Sequence, residues 1–506
     1  MKGLARITSL SFIFLSFWFI AYYSVSFAYA DLPWEQVQKL HASDGAIRDQ
    51  FGSHVAVSGS IAVVGVPLDD DHGDKSGAAY LFDVMTGEQL YKLVPSDGGI
   101  KDHFGISVAI DGNIAVIGAP SDNDHGAGSG SVYVFDVVTG EQLFKLSPSD
   151  SVADQRFGNA VSVSGNLVAI GAQGDSEHGY EVGAVYIFDV STGEEITKIF
   201  PPDSIISGYF GHAIAINGTM IVASSPRFSS GKAYVFDVTT GNQLFDLAPD
   251  IGYDGDNFGD SVSIDGGFVL IGAPQLGNLN GNGAGYAVLF DLSTGEQIYR
   301  FSALDREAGD HFGYSVSLSG NFALIGSPYD DDQGGAPGSS YLFNVDTGEQ
   351  ITKLLPSDGK FGDQFGFSVA LDGDFTIIGA PLDDDLGRKS GSVYLFQRRT
   401  TNLLTVSPEP LVAGLGVVFN LVTTLPNEDS WLLYSTNGPG HTFISQLNIT
   451  VQLANPQIAG GPLMTDENGD LRVARQVPEV LGPLNIWFQA VQLENSTNVV
   501  ATEIVP

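Results

Sequence analysis

The amino-acid sequence predicts an all-β protein: a seven-bladed β-propeller closed by an N-terminal strand, followed by a small β-sandwich-like domain. Three observations carry this prediction. First, a Phe-Gly pair recurs at Phe51, Phe104, Phe157, Phe210, Phe258, Phe312 and Phe365, in steps of 53, 53, 53, 48, 54 and 53 residues. A four-stranded propeller blade takes about 40 to 50 residues, and propellers have roughly four to eight blades. Second, apolar residues alternate over short runs, as in half-buried strands, where a helical solenoid would need amphipathic helices. Third, the two ends of the repeat array complement each other. The seventh copy stops at Val393-Tyr394-Leu395-Phe396 and lacks a fourth strand, while an orphan run, Trp34-Glu35-Gln36-Val37-Gln38-Lys39-Leu40, precedes the first copy. Leu40 lies 11 residues before Phe51, as Leu93 lies 11 before Phe104. The N-terminal strand is therefore expected to complete the last blade and close the ring.

The second copy shows how each blade is written. GISVAI is strand one and Asp111-Gly112-Asn113 a tight turn; IAVIGAP is strand two, followed by a polar loop over residues 121–130. SVYVFDV is strand three, and Thr139-Gly140 turns the chain into strand four, EQLFKL. Glycine sits where the chain reverses, and β-branched and aromatic residues fill the runs between. The recurring Phe reads as a core anchor, with its Gly allowing close backbone approach; Tyr133 and Phe135 read as interblade packing.

Phe-Gly followed by Gly-Ala-Pro, as at Gly118-Ala119-Pro120, Gly272-Ala273-Pro274 and Gly379-Ala380-Pro381, resembles the FG-GAP repeats that build the seven-bladed head of integrin α-subunits. The resemblance covers about residues 34–399, with degenerate copies such as Gly171-Ala172-Gln173 and Ser224-Ser225-Pro226. More narrowly, the chain resembles bacterial FG-GAP repeats with Asp-Gly-Asn or Ser-Gly-Asn turns and a Tyr-x-Phe third strand. The resemblance implies an interaction platform. Integrin repeats carry DxDxDG calcium loops between strands one and two; only a short turn stands there in this chain, so those sites do not transfer.

Lys2 and Arg6 precede an apolar stretch over residues 7–27 that ends in Ala28-Tyr29-Ala30. This describes a secretory leader, giving a signal peptide over residues 1–30, a propeller over 31–400 and a C-terminal domain over 401–506. An uncleaved anchor is the alternative, since the stretch approaches spanning length. Past the leader no segment is apolar enough to span a membrane, so a secreted, extracellular or cell-surface location is expected. The chain has no cysteine and a formal charge of −37, which disfavours nucleic acid and anionic membranes and favours cations or basic partners. Beyond Arg399 the period is lost, and strand-like runs such as SWLLYST and LNIWFQAVQL suggest the sandwich, with Trp431 and Trp487 in its core.

Strand alternation places the loops between strands two and three, and those linking successive blades, on one rim. The first set carries Asp69-Asp70-Asp71, Asp122-Asn123-Asp124, Asp330-Asp331-Asp332 and Asp383-Asp384-Asp385. The second carries Asp44, Asp97, Asp150, Asp203, Asp250, Asp305 and Asp358, and a further set (Asp49, Asp102, Asp256, Asp310, Asp363) stands two residues before Phe. Clustered carboxylates repel, and a hard cation with six to eight oxygen ligands would relieve them. Asp69, Asp70, Asp71, Asp122, Asp124, Asp330, Asp331, Asp332, Asp383, Asp384 and Asp385 are therefore candidate Ca2+ ligands; a solvated loop with turn-capping side chains is the alternative. His72, His125 and His178 occur one per blade and read as solvated loop residues.

No GxSxG, HExxH, P-loop or cysteine nucleophile is present, and acidic groups that repeat from blade to blade argue for a scaffold over one asymmetric catalytic centre. The expectation is a non-enzymatic extracellular interaction or adhesion scaffold with a protein or glycan partner, possessing calcium sites on one rim if the carboxylates are ligands. The alternative is a secreted propeller enzyme acting on glycans. A quinoprotein-like oxidoreductase is a weaker alternative, because the blades lack the Trp that follows Thr-Gly in those repeats. An odd blade pointing polar residues into the channel would favour an enzyme, and blade four, with Arg227-Phe228 in place of the acidic loop, is the candidate.

Overall fold

The structure, a computed structural model, describes residues 34–203, 206–227, 229–275, 283–332 and 334–398, and ten backbone strands within residues 403–505. The expected leader, Phe228 and the side chains of Trp431 and Trp487 lie outside the described residues. Seven four-stranded antiparallel sheets follow one another, with six of them spanning residues 54–93, 107–146, 157–199, 214–247, 261–301 and 315–354. The seventh combines Ser368–Asp372, Phe375–Ala380 and Ser392–Arg398 with the N-terminal strand Trp34–Leu40. That strand runs antiparallel to Ser392–Arg398, from Trp34 opposite Arg398 to Leu40 opposite Val393. The ring is closed as the sequence predicted. Past residue 400 the strands pair into sheets of three, five and two strands.

Blades are joined where side chains are missing. A Cβ on Gly118 would lie 2.1 Å from the carbonyl oxygen of Gly158 in the next blade, and one on Gly379 would lie 2.0 Å from that of Gly52. Real Cβ atoms do not approach backbone so closely, so the glycine of Gly-Ala-Pro and that of the next Phe-Gly are needed together. Each Phe then enters the space between blades. Phe104 is fully buried, edge-on to Tyr133 and Phe135 at centroid distances of 5.5 and 5.9 Å, and it shares a core with Val63, Ala79 and Leu81 of the preceding blade. Edge-to-face rings add roughly 1 kcal/mol beyond their burial.

On the face opposite the acidic loops, the strand one–two turns also link neighbours. Gly112 N–H donates to Ser58 Oγ (3.2 Å), Gly165 N–H to Asp111 Oδ2 (2.6 Å) and Gly59 N–H to Asp372 Oδ2 (2.6 Å), the last across the ring closure. The Asp-x-x-Thr-Gly turns are self-contained by comparison: Asp136 Oδ1 accepts the Thr139 N–H (2.8 Å) and Thr139 hydroxyl (3.0 Å).

The closing strand is anchored at both ends, by buried Leu40 and by Trp34, which meets Phe322 of blade six edge-on at 5.7 Å. Trp34→Ala should lower the unfolding free energy by about 3 kcal/mol, read from the midpoint of a denaturant titration.

Candidate functional site

In five of the seven blades the acidic rim is built from four parts. In blade two, Asp97 comes from the incoming linker, Asp122 and Asp124 from the loop after strand two, Tyr133 from strand three and Lys145 from strand four. Lys145 Nζ lies 2.7 Å from Asp97, 3.0 Å from Asp122 and 2.5 Å from Asp124. The Tyr133 hydroxyl lies 3.0 Å from Asp97 and 3.1 Å from Asp122, and its single proton serves one at a time. The other oxygen of Asp122 accepts the Asp124 N–H at 2.9 Å. Asp122 is therefore buried and saturated, whereas Asp124 keeps an exposed flank.

The same cluster recurs. Lys92 bonds Asp44, Asp69 and Asp71 at 2.7 to 2.9 Å, and Lys353 bonds Asp305, Asp330 and Asp332 at 2.8 to 2.9 Å. Lys198 bonds Asp150, Asp175 and Glu177. In blade seven the lysine is Lys39 of the N-terminal strand, which reaches Asp358 at 2.7 Å, Asp383 at 2.9 Å and also Asp385, so the ring closure carries an ionic clasp. Burial alone would lower the pKa of Lys145, but the hydrogen bonds it donates to Asp124 and Asp97 outweigh this and raise the ammonium above its usual range.

The structure thus divides the eleven expected ligands. Asp69, Asp122, Asp330 and Asp383 are buried against a lysine; Asp71, Asp124, Asp332 and Asp385 flank the same lysine from the solvent side. Asp70, Asp331 and Asp384 stand outside the cluster and are exposed, and Asp384 caps its own loop through the Lys389 N–H at 2.6 Å. An ammonium occupies the centre between the carboxylates, the place assigned to calcium on the sequence. Among the described residues, no group of three or more His, Asp or Glu side chains is arranged to hold a metal. His178 packs on Phe200 at 4.0 Å, while His72 and His125 are exposed.

Two residues missed on the sequence, the strand-four lysine and the strand-three tyrosine, organise the site. The signal for the lysine was present. Blades whose loop holds an acid-x-acid pair have Lys39, Lys92, Lys145, Lys198 or Lys353 before the last apolar residue; blades four and five lack both, with Asp246 and Arg300 there instead. Blade four swaps the charges: Lys232, at the start of strand three, meets Asp203 at 3.0 Å and Asp246 at 3.2 Å. In blade five the Arg300 guanidinium covers the Tyr286 ring at 3.5 Å.

The aspartates two residues before Phe lie beneath this layer. Asp49 sits between Arg48 and Gln50, both left-handed at φ 74° and 61°, and accepts the Ala46 N–H at 2.6 Å. Burial first, then the charges of Asp69, Asp70 and Asp71, pushes its carboxyl up to about 6; burial and Asp330, Asp332 and Asp331 do the same to Asp310, also about 6. Blade three has Gln155 here, a neutral side chain that donates to Asp175 at 2.9 Å.

Lys145→Met should cost on the order of 3 kcal/mol, because Asp122 is left buried beside uncompensated charge; the loss is readable in chemical denaturation. Asp310 has a raised folded-state pKa, so its stabilising contribution is complete below the ordinary carboxylate range and lost as pH rises through about 6. Asp310→Asn keeps the acceptor for the Glu307 N–H and removes that loss. The variant should be more stable than the parent at pH 7 by on the order of 1 to 2 kcal/mol, with the gap closing toward pH 4 in melting curves.

No curated protein matches the chain. Among solved structures, the β-propeller domain of Cps50 (Swd1) from Myceliophteria thermophila aligns at 11% identity and a TM-score of 0.45, covering 73% of this chain and 100% of that one. The family model described as FG-GAP repeat matches residues 34–82, 88–135, 141–188, 245–290, 296–343 and 349–396, each window running from a fourth strand through the next blade's third. The unmatched interval falls on blade four, whose Gly-Ala-Pro reads Ser224-Ser225-Pro226 and whose ion cluster is reversed. With more than half of its length matched, the chain belongs to the FG-GAP repeat family.

Proposed function

We propose that this protein is an exported, non-enzymatic scaffold that holds a basic, partly apolar extracellular protein against its acidic rim. The observation that carries this reading is a set of exposed apolar side chains at one register of that rim. Ile47, Ile100, Ile206 and Phe361, each four residues before its Phe-Gly, are 63%, 65%, 69% and 86% exposed. A loop kept only for solubility has no use for them. Exposed aliphatic and aromatic side chains among charges mark contact surfaces.

The charge complements them. Each full cluster sets three carboxylates against one ammonium, so lysine orders the loops without cancelling the rim's negative sign, and a cationic partner is favoured by long-range attraction. The apolar leader at the N-terminus supports export, and the strands beyond residue 400 are read as a small sandwich attached to the propeller. In this reading lysine, rather than calcium, organises the rim; melting curves in calcium and in chelator at matched ionic strength should coincide. A rise in melting temperature with calcium concentration would return the loops to a metal-binding role.

The test uses two immobilised peptides of equal length, one alternating lysine and leucine, the other glutamate and leucine. Binding is expected to the first alone, weakened by added salt and by Ile100→Ser with Phe361→Ser. Equal binding to both peptides would sink the proposal. Release of reducing ends from neutral oligosaccharides would instead support the glycan-acting enzyme, which the uneven channel mouth described next favours as the second reading.

A further inference from the structure

The blades also differ at the residue after each Phe-Gly, beside the start of strand one at the central channel. Blades three to five place Asn159, His212 and Asp260 there, blades six and seven place Tyr314 and Phe367, and blade two places Ile106. These residues line one cavity of about 550 Å3 at the rim end of the channel, a volume suited to a small ligand. Core requirements do not explain the difference, since the neighbouring Phe and Gly are kept in all seven blades.

The polar arc is held in place. Asn159 donates to the carbonyls of Gly211 (3.2 Å) and His212 (3.1 Å) and accepts the Gln173 N–H (3.1 Å), tying blade three to blade four. Gln173 Oε1 lies 2.9 Å from His212 Nδ1, and His212 Nε2 faces Asp260 Oδ1 at 3.4 Å. With Nδ1 donating to Gln173, the imidazole presents Nε2 beside a carboxylate, and both side chains remain about a quarter to a third exposed, at 31% for His212 and 26% for Asp260. The aromatic arc is also set: Tyr314 and Phe367 meet at 4.9 Å, and Tyr329 buttresses Tyr314 at 6.4 Å. Both rings are only partly buried.

We propose that this channel mouth binds one residue of a neutral glycan, its C–H face on Tyr314 and Phe367 and its hydroxyls on Asp260, His212 and the Gln173 amide. A sugar ring needs an apolar platform together with closely spaced donors and acceptors, and the two arcs supply these. An anion would face Asp260 and Asp154 in the same lining, and a cation would face Arg156. The site is separate from the rim contact of the preceding section and stands or falls without it.

The test is saturation-transfer NMR on the full chain with the methyl glycosides of glucose, galactose, mannose and N-acetylglucosamine, with tetramethylammonium as a cationic control. At least one glycoside should take saturation on its ring C–H protons, with affinity falling about tenfold or more in Phe367→Ala and in Asp260→Asn. It should be unchanged in Asp70→Asn with Asp384→Asn, which alter the rim alone. Should Phe367→Ala not fold, Asp260→Asn at its part-exposed site decides. Saturation of no glycoside, saturation untouched by both mouth variants, or transfer to tetramethylammonium alone would each overturn the proposal.

Discussion

The carbonyl of Gly158 occupies the space where a Cβ on Gly118 would stand, and the equivalent crowding recurs between Gly65 and Gly105, Gly272 and Gly313, and Gly326 and Gly366. This contact sets how closely one sheet packs on the next. Once glycine allows it, each Phe after the junction is enclosed, and in every blade but the fifth its ring meets both Tyr and Phe of strand three, Phe258 meeting Phe290. Tyrosine, fixed by that packing, then carries its hydroxyl to the rim, where it finds the buried aspartate. The polar layer is therefore positioned by the apolar one beneath it.

At the rim, electrostatics and packing are coupled. A carboxylate as buried as Asp69 is costly unless it is paired and hydrogen-bonded, and Asp69 has Lys92, the Tyr80 hydroxyl and the Asp71 N–H around it. Both carboxylate oxygens of Asp69, Asp122, Asp330 and Asp383 are used, which leaves recognition to the outer layer. There Asp70, Asp331 and Asp384 share the surface with exposed aliphatic side chains. Chain closure uses the same device: Lys39 holds carboxylates more than three hundred residues away, so joining the ends also completes the ion cluster of blade seven.

Blade four departs from this scheme in several ways at once. Its lysine has moved to strand three and an aspartate to strand four, Ser224 replaces the docking glycine, and His212 enters the channel mouth. The Ser224 hydroxyl turns to its own blade, where it accepts the Ala213 N–H at 3.1 Å. The ring is therefore regular in its core, departs from the repeat at the rim of blades four and five, and is uneven at its centre, which is the geometry a single-copy site requires.

Much of this was legible in the residues. The Phe-Gly period, the alternation of strands and the missing fourth strand determined the blade number, the ring closure and the rim on which the aspartates gather, because these follow from local pattern and counting. The tertiary structure decided what the aspartates do. Lys145 lies 23 residues from Asp122 and Lys39 lies 344 from Asp383, so no local window shows that one ammonium sits among three carboxylates. The channel mouth is hidden for the same reason: Asn159, His212, Asp260, Tyr314 and Phe367 are single residues in five separate repeats, and only closing the ring makes them neighbours.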